Sequence, residues 1–210
     1  MEIKTIPNQI ITEKLQPLNL KKVDSIALHH MDSNADVKEI ERIHIAKGWR
    51  AIGYNFWVGF DGTIYRGRGL NLGAGVENQN GHIISIGFQG DYHAKPVTMP
   101  DKQFNSGIDI IEYVKREVPS VRNVAGHKDF MATACPGKYF PLEEMKRGIR
   151  RMETIKMIYN YIDENMPEWA REAVQWAVDN KVVRGTETGL NLDDQDLQTL
   201  VWIHRTYLLK

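Results

Sequence analysis

The 210-residue chain holds one cysteine, has no net charge and contains no long apolar run. Each shortage excludes a class of protein. A single thiol, Cys135, cannot build an internal disulfide framework, so the fold rests on burial rather than covalent bridges. That thiol is then an apolar filler, a nucleophile or a metal ligand. With 27 basic and 27 acidic residues, the overall charge makes no case for nucleic acid as a partner. No stretch approaches the roughly 20 apolar residues of a membrane span. The opening Met1-Glu2-Ile3-Lys4 starts no apolar run of signal-peptide length. The expectation is a soluble chain made in the cytoplasm, which something else must release if its target lies outside the membrane.

What is present is the balance of a folded globular protein, 42% hydrophobic and 26% charged. The length suits one full domain plus a small one. Charge is uneven along the chain. From Glu153 to Lys210 there are 10 acidic and 6 basic residues, a net of −4, which leaves 1–152 at +4. A mildly basic front part suits a polyanionic matrix such as a cell wall, although ordinary surface variation also produces such a split.

Residues 1–22 are polar, with Pro7 and Pro17, and read as an N-terminal arm. Val23–His29 reads as a strand ending at His29-His30. Asp32-Ser33-Asn34 are helix starters, and Val37, Ile40, Ile43 and Ala46 follow at helical spacing until Gly48. Gly53–Phe60 is aromatic and β-branched and reads as a strand. Asp61-Gly62 turns it into a return strand, Thr63–Arg66. A long Gly-rich loop spans Gly67–Gly81, of the kind that often lines a binding site. Ile83–Phe88 reads as a buried strand, Pro100–Glu117 as a helix, Val121–Ala125 as a strand and Pro141–Arg151 as a last helix. Alternating strands and helices predict an α/β domain, 23–151, with a central mixed sheet flanked by helices. The remainder, 152–210, predicts a small all-α module of three helices. The first is marked by Ile155, Ile158 and Ile162, the second by Trp169, Ala173, Trp176 and Ala177, and the third by Leu197, Leu200, Val201, His204 and Leu208. In so small a unit most of the load of Trp169, Trp176 and Trp202 is expected in the core.

Three residues carry candidate chemistry. His29 and His127 each end an apolar strand, and Cys135 follows in a loop fixed by Pro136 and Gly137. Two imidazoles and a thiolate suit zinc, whose catalytic sites use three protein ligands and leave a fourth position open. Two hydrogen-bonded core histidines and a small buried filler would leave the same residues in the sequence. Strand neighbours face opposite ways, so only one of His29 and His30 can face such a site.

The strings Leu28-His29-His30-Met31-Asp32-Ser33, Gly48-Trp49-Arg50-Ala51-Ile52-Gly53-Tyr54-Asn55-Phe56, Ser85-Ile86-Gly87, Gly126-His127-Lys128-Asp129 and Thr133-Ala134-Cys135-Pro136-Gly137 occur in this order. Together they resemble the zinc amidases of phage lysozyme type and the animal peptidoglycan-recognition proteins. The resemblance implies N-acetylmuramoyl-L-alanine amidase activity on peptidoglycan, in the manner of a phage or prophage endolysin. It implies Zn2+ as cofactor, held by His29, His127 and Cys135, with Tyr54 and Thr133 as catalytic residues. His30 is then left a structural or supporting role. The alternative the resemblance allows is a recognition protein without catalysis, but inactive relatives typically lose the cysteine that this chain keeps. A cysteine hydrolase using Cys135 and His127 is disfavoured, because no helix N-terminus follows to lower the thiol pKa.

Two positions depart from the family pattern. Some relatives place a glutamate base where this chain has Gln89, which cannot take a proton. Many carry a histidine in a loop that here reads Gly73-Ala74-Gly75-Val76. His82 reads as a loop residue, His44 as helix packing, and His93 and His204 carry no signal; Asp91 is not promoted to a role. In the tail, Trp169–Val178 and Val183-Arg184-Gly185 resemble a single surface-layer-homology repeat. That implies a module docking on wall polymers, while a dimerisation or stability appendage is the alternative.

Overall fold

The computed structural model describes residues 1–151 and 157–208. They divide into two compact units, Met1–Glu153 and Thr154–Lys210. In chain order the first unit runs β1 (Ile3–Thr5), β2 (Ser25–His30), α1 (Val37–Ala46), β3 (Phe56–Val58), β4 (Ile64–Arg66), β5 (Ile83–Phe88), α2 (Asp101–Glu117), β6 (Asn123–Gly126) and α3 (Leu142–Arg147). The strands make one sheet in the order β1-β4-β3-β5-β2-β6. Only the β3–β4 hairpin is antiparallel; the other pairs are parallel. This is the α/β architecture with a mixed sheet and flanking helices that the alternating pattern predicts.

The central pair, β2 and β5, is buried on both faces along its whole length. A parallel strand covered on both sides needs continuous rather than alternating hydrophobicity, and Ile83-Ile84-Ser85-Ile86 and Ile26-Ala27-Leu28 supply it. The two faces are nevertheless unlike. Ile26, Leu28, Ile84, Ile86 and Phe88 meet Phe104, Ile108 and Ile111 of α2 in the main core. On the opposite face Ala27 and Ser85 are paired, as are His29 and Gly87. These small residues leave room above the middle of that face, while Trp57, Val37, Ile40 and Ile52 pack beside it under α1.

Several boundaries differ from expectation. The N-terminal arm is part of the fold: β1 adds to the sheet edge beside β4, and Ile6 is buried against Ile52 and Trp57. Three residues of edge strand leave too short a pattern to see. The cap of α1 is Asp36, whose carboxylate accepts from Glu39 N–H, not the earlier Asp32–Asn34. The strand around Phe56 is shorter than Gly53–Phe60: only Phe56–Val58 pairs with both β4 and β5. Helix α3 stops before Arg151, at Gly148 with φ 68°.

The second unit contains α4 (Glu168–Asp179) and α5 (Asp194–Leu208). Its core is Met166, Ala170, Val174 and Ala177 against Leu197 and Leu200, closed by Tyr159 and Leu192. The first of the three expected helices is not formed over 157–162. Tyr159 instead exchanges backbone hydrogen bonds with Leu192, at 2.7 and 3.1 Å, and these commit groups that a helix would need. Ile155 lies outside the described residues. The tryptophans also depart from expectation. Trp176 packs against the core and its ring meets His204 and Tyr207, but Trp169 and Trp202 are 51% and 69% exposed. On α4 the buried positions are Ala170, Ala173, Val174 and Ala177, and neither of those two indoles is among the core residues. Among the described residues no helix is long and apolar enough to cross a membrane.

Candidate metal centre

Parallel pairing of β2 with β6 places Leu28 opposite Gly126, so His29 and His127 leave adjacent strand ends together. Their rings lie 4.4 Å apart, centroid to centroid. After β6 the chain makes a tight turn, His127–Asp129, in which Asp129 accepts from Gly126 N–H at 2.8 Å. The loop then doubles back, and Lys128 N–H donates to the Cys135 carbonyl at 2.8 Å. This closure brings the thiol to the histidines: Cys135 Sγ is 3.8 Å from His29 Nδ1. One donor atom from each of His29, His127 and Cys135 lies within 4.8 Å of the others, so the three could hold a metal ion.

The state of these groups fits a cation. Burial holds His29 well below the ordinary imidazole range, helped by the neighbouring His127 and His30, and burial also lowers His127. Both rings are therefore neutral at physiological pH, the form that ligates. Burial pushes the Cys135 thiol up to about 11. That is opposite to the depressed pKa of a cysteine nucleophile, and it agrees with disfavouring a cysteine hydrolase. His29 Nε2, His127 Nε2 and Ser85 Oγ are all buried without a hydrogen-bond partner among the described residues. Buried polar atoms are rarely left so, and unpaired ring nitrogens on both histidines of the triad indicate a missing partner.

Alternation along β2 sends His30 to the other face. There its Nδ1 accepts from Tyr92 N–H at 3.0 Å, so it supports the loop after β5 and not the triad. Tyr54 stands over the small-residue patch, its ring 5.2 Å from that of His29. Burial, then the nearby Cys135, raise its phenol above the usual range, so it stays protonated. Thr133 is exposed, and its Oγ1 accepts from Cys135 N–H at 3.3 Å, which leaves its own O–H to donate elsewhere. Gln89 is committed at both ends of its amide, accepting from Phe60 N–H and donating to the Asn34 carbonyl. It staples two loops and is not available for chemistry. Asp91 accepts from His93 and Ala94 N–H and lies 3.8 Å from His30. His44 is buried, stacked on Trp49, and accepts from Gly53 N–H, so packing describes it well. His82 pairs with Asp24 on the surface.

Some residues of the site escape notice in the sequence. A side chain at Gly87 would place its Cβ 2.9 Å from Tyr54 Cδ2, and one at Gly75 would lie 2.4 Å from Ser85 Oγ and 3.2 Å from His29 Nε2. The Gly73–Val76 loop thus closes directly onto His29, where many relatives have a histidine. Asn55 is fully buried and ties the site's floor to that loop: its amide donates to the Gly69 and Asn71 carbonyls and accepts from Ser85 N–H. A lone Asn in an aromatic strand, or a lone Ser in an isoleucine run, was the available signal.

Residues 19–138 match the family model for N-acetylmuramoyl-L-alanine amidases. Among solved structures, the chain is similar to the N-acetylmuramoyl-L-alanine amidase LysC from Clostridium intestinale, with TM-score 0.62 and 30% identity over 70% of this chain and 96% of that one. It is also similar to peptidoglycan-recognition protein SA of Apis mellifera, with TM-score 0.59 and 26% identity over 69% and 94% of the two chains. Peptidoglycan-recognition protein SC2 of Drosophila simulans is 32% identical over 52% of this chain and 66% of its own length. For SC1a of Drosophila melanogaster the figures are 34%, 50% and 58%, so this chain spans only about three fifths of these relatives. The chain belongs to the N-acetylmuramoyl-L-alanine amidase family.

Proposed function

We propose that the first unit is a zinc-dependent N-acetylmuramoyl-L-alanine amidase that cuts peptidoglycan, in the manner of an endolysin. The observation that carries this is the convergence of His29, His127 and Cys135 donors within 4.8 Å, beside buried imidazole nitrogens with no other partner. Their chemistry, two neutral imidazoles and a thiol, is a three-ligand set for catalytic zinc. When bound, zinc would polarise a carbonyl and supply activated water at neutral pH.

The chain's own residues account for the rest. The amide between the lactyl group of N-acetylmuramic acid and L-alanine is broken; the acyl carbon gains the water oxygen as a carboxylate, and the nitrogen leaves protonated as an amine. Tyr54, kept protonated by burial, is a hydrogen-bond donor for the carbonyl oxygen as charge grows on it. Thr133, with its O–H free, is a second donor at the open side. Gln89 takes no part as a base, since both ends of its amide hold backbone.

The test is digestion of purified walls with and without a chelator, followed by mass spectrometry. Free stem peptides with an L-alanine amino end, lost on chelation and restored by zinc, are expected. Reducing sugar ends, chelator-insensitive cleavage, or binding to walls with no cleavage would each reject the reading; the last would mark a recognition protein.

A further inference from the structure

The second unit carries a groove that the amidase reaction does not use. It is about 390 Å3 in volume and lined by Trp169 of α4 with Gln198, Val201, Trp202 and Arg205 of α5. The α5 residues stand at spacings of three, four and seven, one stripe of the helix. Val201 packs partly against the core, while Gln198, Trp202 and Arg205 stand exposed beside the buried Leu197, Leu200 and His204. Trp169 and Trp202 remain largely exposed there, at 51% and 69%. The Arg205 guanidinium makes no hydrogen bond or ion pair with any described residue. Exposed indoles gathered in one groove with a free guanidinium indicate a ligand, since soluble surfaces rarely spend large aromatics without one.

We infer that this groove binds glycan strands from which the peptides have already been removed. The inference rests on the amidase reading, because that reaction makes the ligand. The face of a pyranose ring presents C–H bonds with slight positive charge, which suit the negative face of an indole. Gln198 supplies an amide for sugar hydroxyls. Each amide cut leaves one free lactyl carboxylate on the glycan, and a guanidinium is the side chain that grips a carboxylate in two parallel hydrogen bonds. Charge also selects against the other wall anions. The segment Glu153–Lys210 has a net charge of −4, so a dense polyphosphate chain is repelled, whereas one carboxylate per disaccharide needs only one local cation. The second unit would thus hold the product strand while the first unit goes on cutting.

The experiment uses the full chain with Cys135→Ser, to prevent cleavage, and three probes: peptide-free glycan strands, intact sacculi and neutral N-acetylglucosamine oligomers. The expected result is tightest binding to peptide-free strands. Trp169→Ala and Trp202→Ala each weaken it about tenfold or more, the scale of losing a stacked aromatic anchor. Arg205→Gln weakens binding to the strands but leaves the neutral oligomers unaffected. Unchanged strand binding in both tryptophan variants overturns the proposal. So does a dimeric parent that Trp202→Ala makes monomeric, which would seat a second copy in the groove. Amidase activity on soluble muramoyl-peptide is read separately in chains retaining Cys135. Strand binding without any hydrolysis would sink the catalytic reading alone, and hydrolysis with tryptophan-insensitive binding would sink this one alone.

Discussion

Gly87 offers a way to move Tyr54 without touching its hydroxyl. An alanine there would put Cβ 2.7 Å from Met31 Cε, 2.9 Å from Tyr54 Cδ2 and 3.0 Å from Tyr54 Cγ. The methionine methyl is the far end of a flexible chain and swings aside. Tyr54 Cγ is one bond from its own Cβ, so the whole ring must retreat by about 0.5 Å to regain ordinary contact. The stability cost is small. Overpacking costs about 1–3 kcal/mol, and alanine recovers roughly 0.5–1 kcal/mol of glycine's backbone entropy. The net is about 1 kcal/mol, or roughly 2–4 °C in Tm at this size. The catalytic cost is larger. A misplacement near 1 Å can cost about 10²-fold, so half of that predicts about a tenfold loss in kcat/KM. Tyr54→Phe, which removes the donor itself, should lose ~10²–10³-fold. The decisive measurement is the double variant, assayed by the appearance of L-alanine amino ends from soluble muramoyl-peptide. If Gly87 acts through the phenol, Gly87→Ala adds nothing to Tyr54→Phe. A further tenfold loss in the double variant, or full activity in Tyr54→Phe, would refute the reasoning.

Three other outcomes are expected. Purified protein should hold one zinc per chain by elemental analysis and lose it in Cys135→Ser; with zinc at about 1,000 times its Kd, removal costs about 4 kcal/mol, on the order of 10 °C in Tm, and an unchanged Tm on chelation would contradict a buried metal site. His44, lowered by burial to about 4, binds fewer protons folded than unfolded, so its contribution to stability is present above the unfolded pKa near 6.5 and is lost as pH falls from there toward 4. Allowing for solvent at the ring edge this is of order 2 kcal/mol, so His44→Gln should flatten the acid side of a urea-unfolding profile; an equal slope in both proteins would exclude it. Asn55→Ala strands the Gly69 and Asn71 carbonyls and the Ser85 N–H in the interior. It should cost roughly 2–5 kcal/mol in denaturant unfolding, and a loss under 1 kcal/mol would mean that water replaces the amide.

The main elements of the first unit were legible because burial repeats itself along the chain. A run such as Ile83–Phe88 can be little other than an interior strand, and α2 shows its apolar stripe over its full length. The candidate site was legible mainly through the family resemblance, since His29, His127 and Cys135 by themselves would equally suit two core histidines and a buried filler. Local pattern failed where the partner is distant. Ile3–Thr5 becomes a strand only because β4 offers an open edge, and 157–162 is not helical because Leu192 claims the backbone of Tyr159. The tryptophans of the second unit mislead for a related reason. Hydrophobicity says that an indole gains by burial, but the residues that α4 turns inward are Ala170, Val174 and Ala177, and Trp169 stays outside them.

The amino-acid sequence by itself determined the composition of the candidate centre, two imidazoles and one sulfur, and the strand ends and loop that carry them. Period-two alternation also decided that His29 and His30 face opposite ways. Only the tertiary structure decided that three donors separated by up to 106 positions meet within 4.8 Å. It also decided that glycine and serine clear the space above them and that Gln89 is occupied with loops. The reason is that side-chain period is a local property of the backbone, whereas proximity across a sheet depends on strand order, which no single strand encodes.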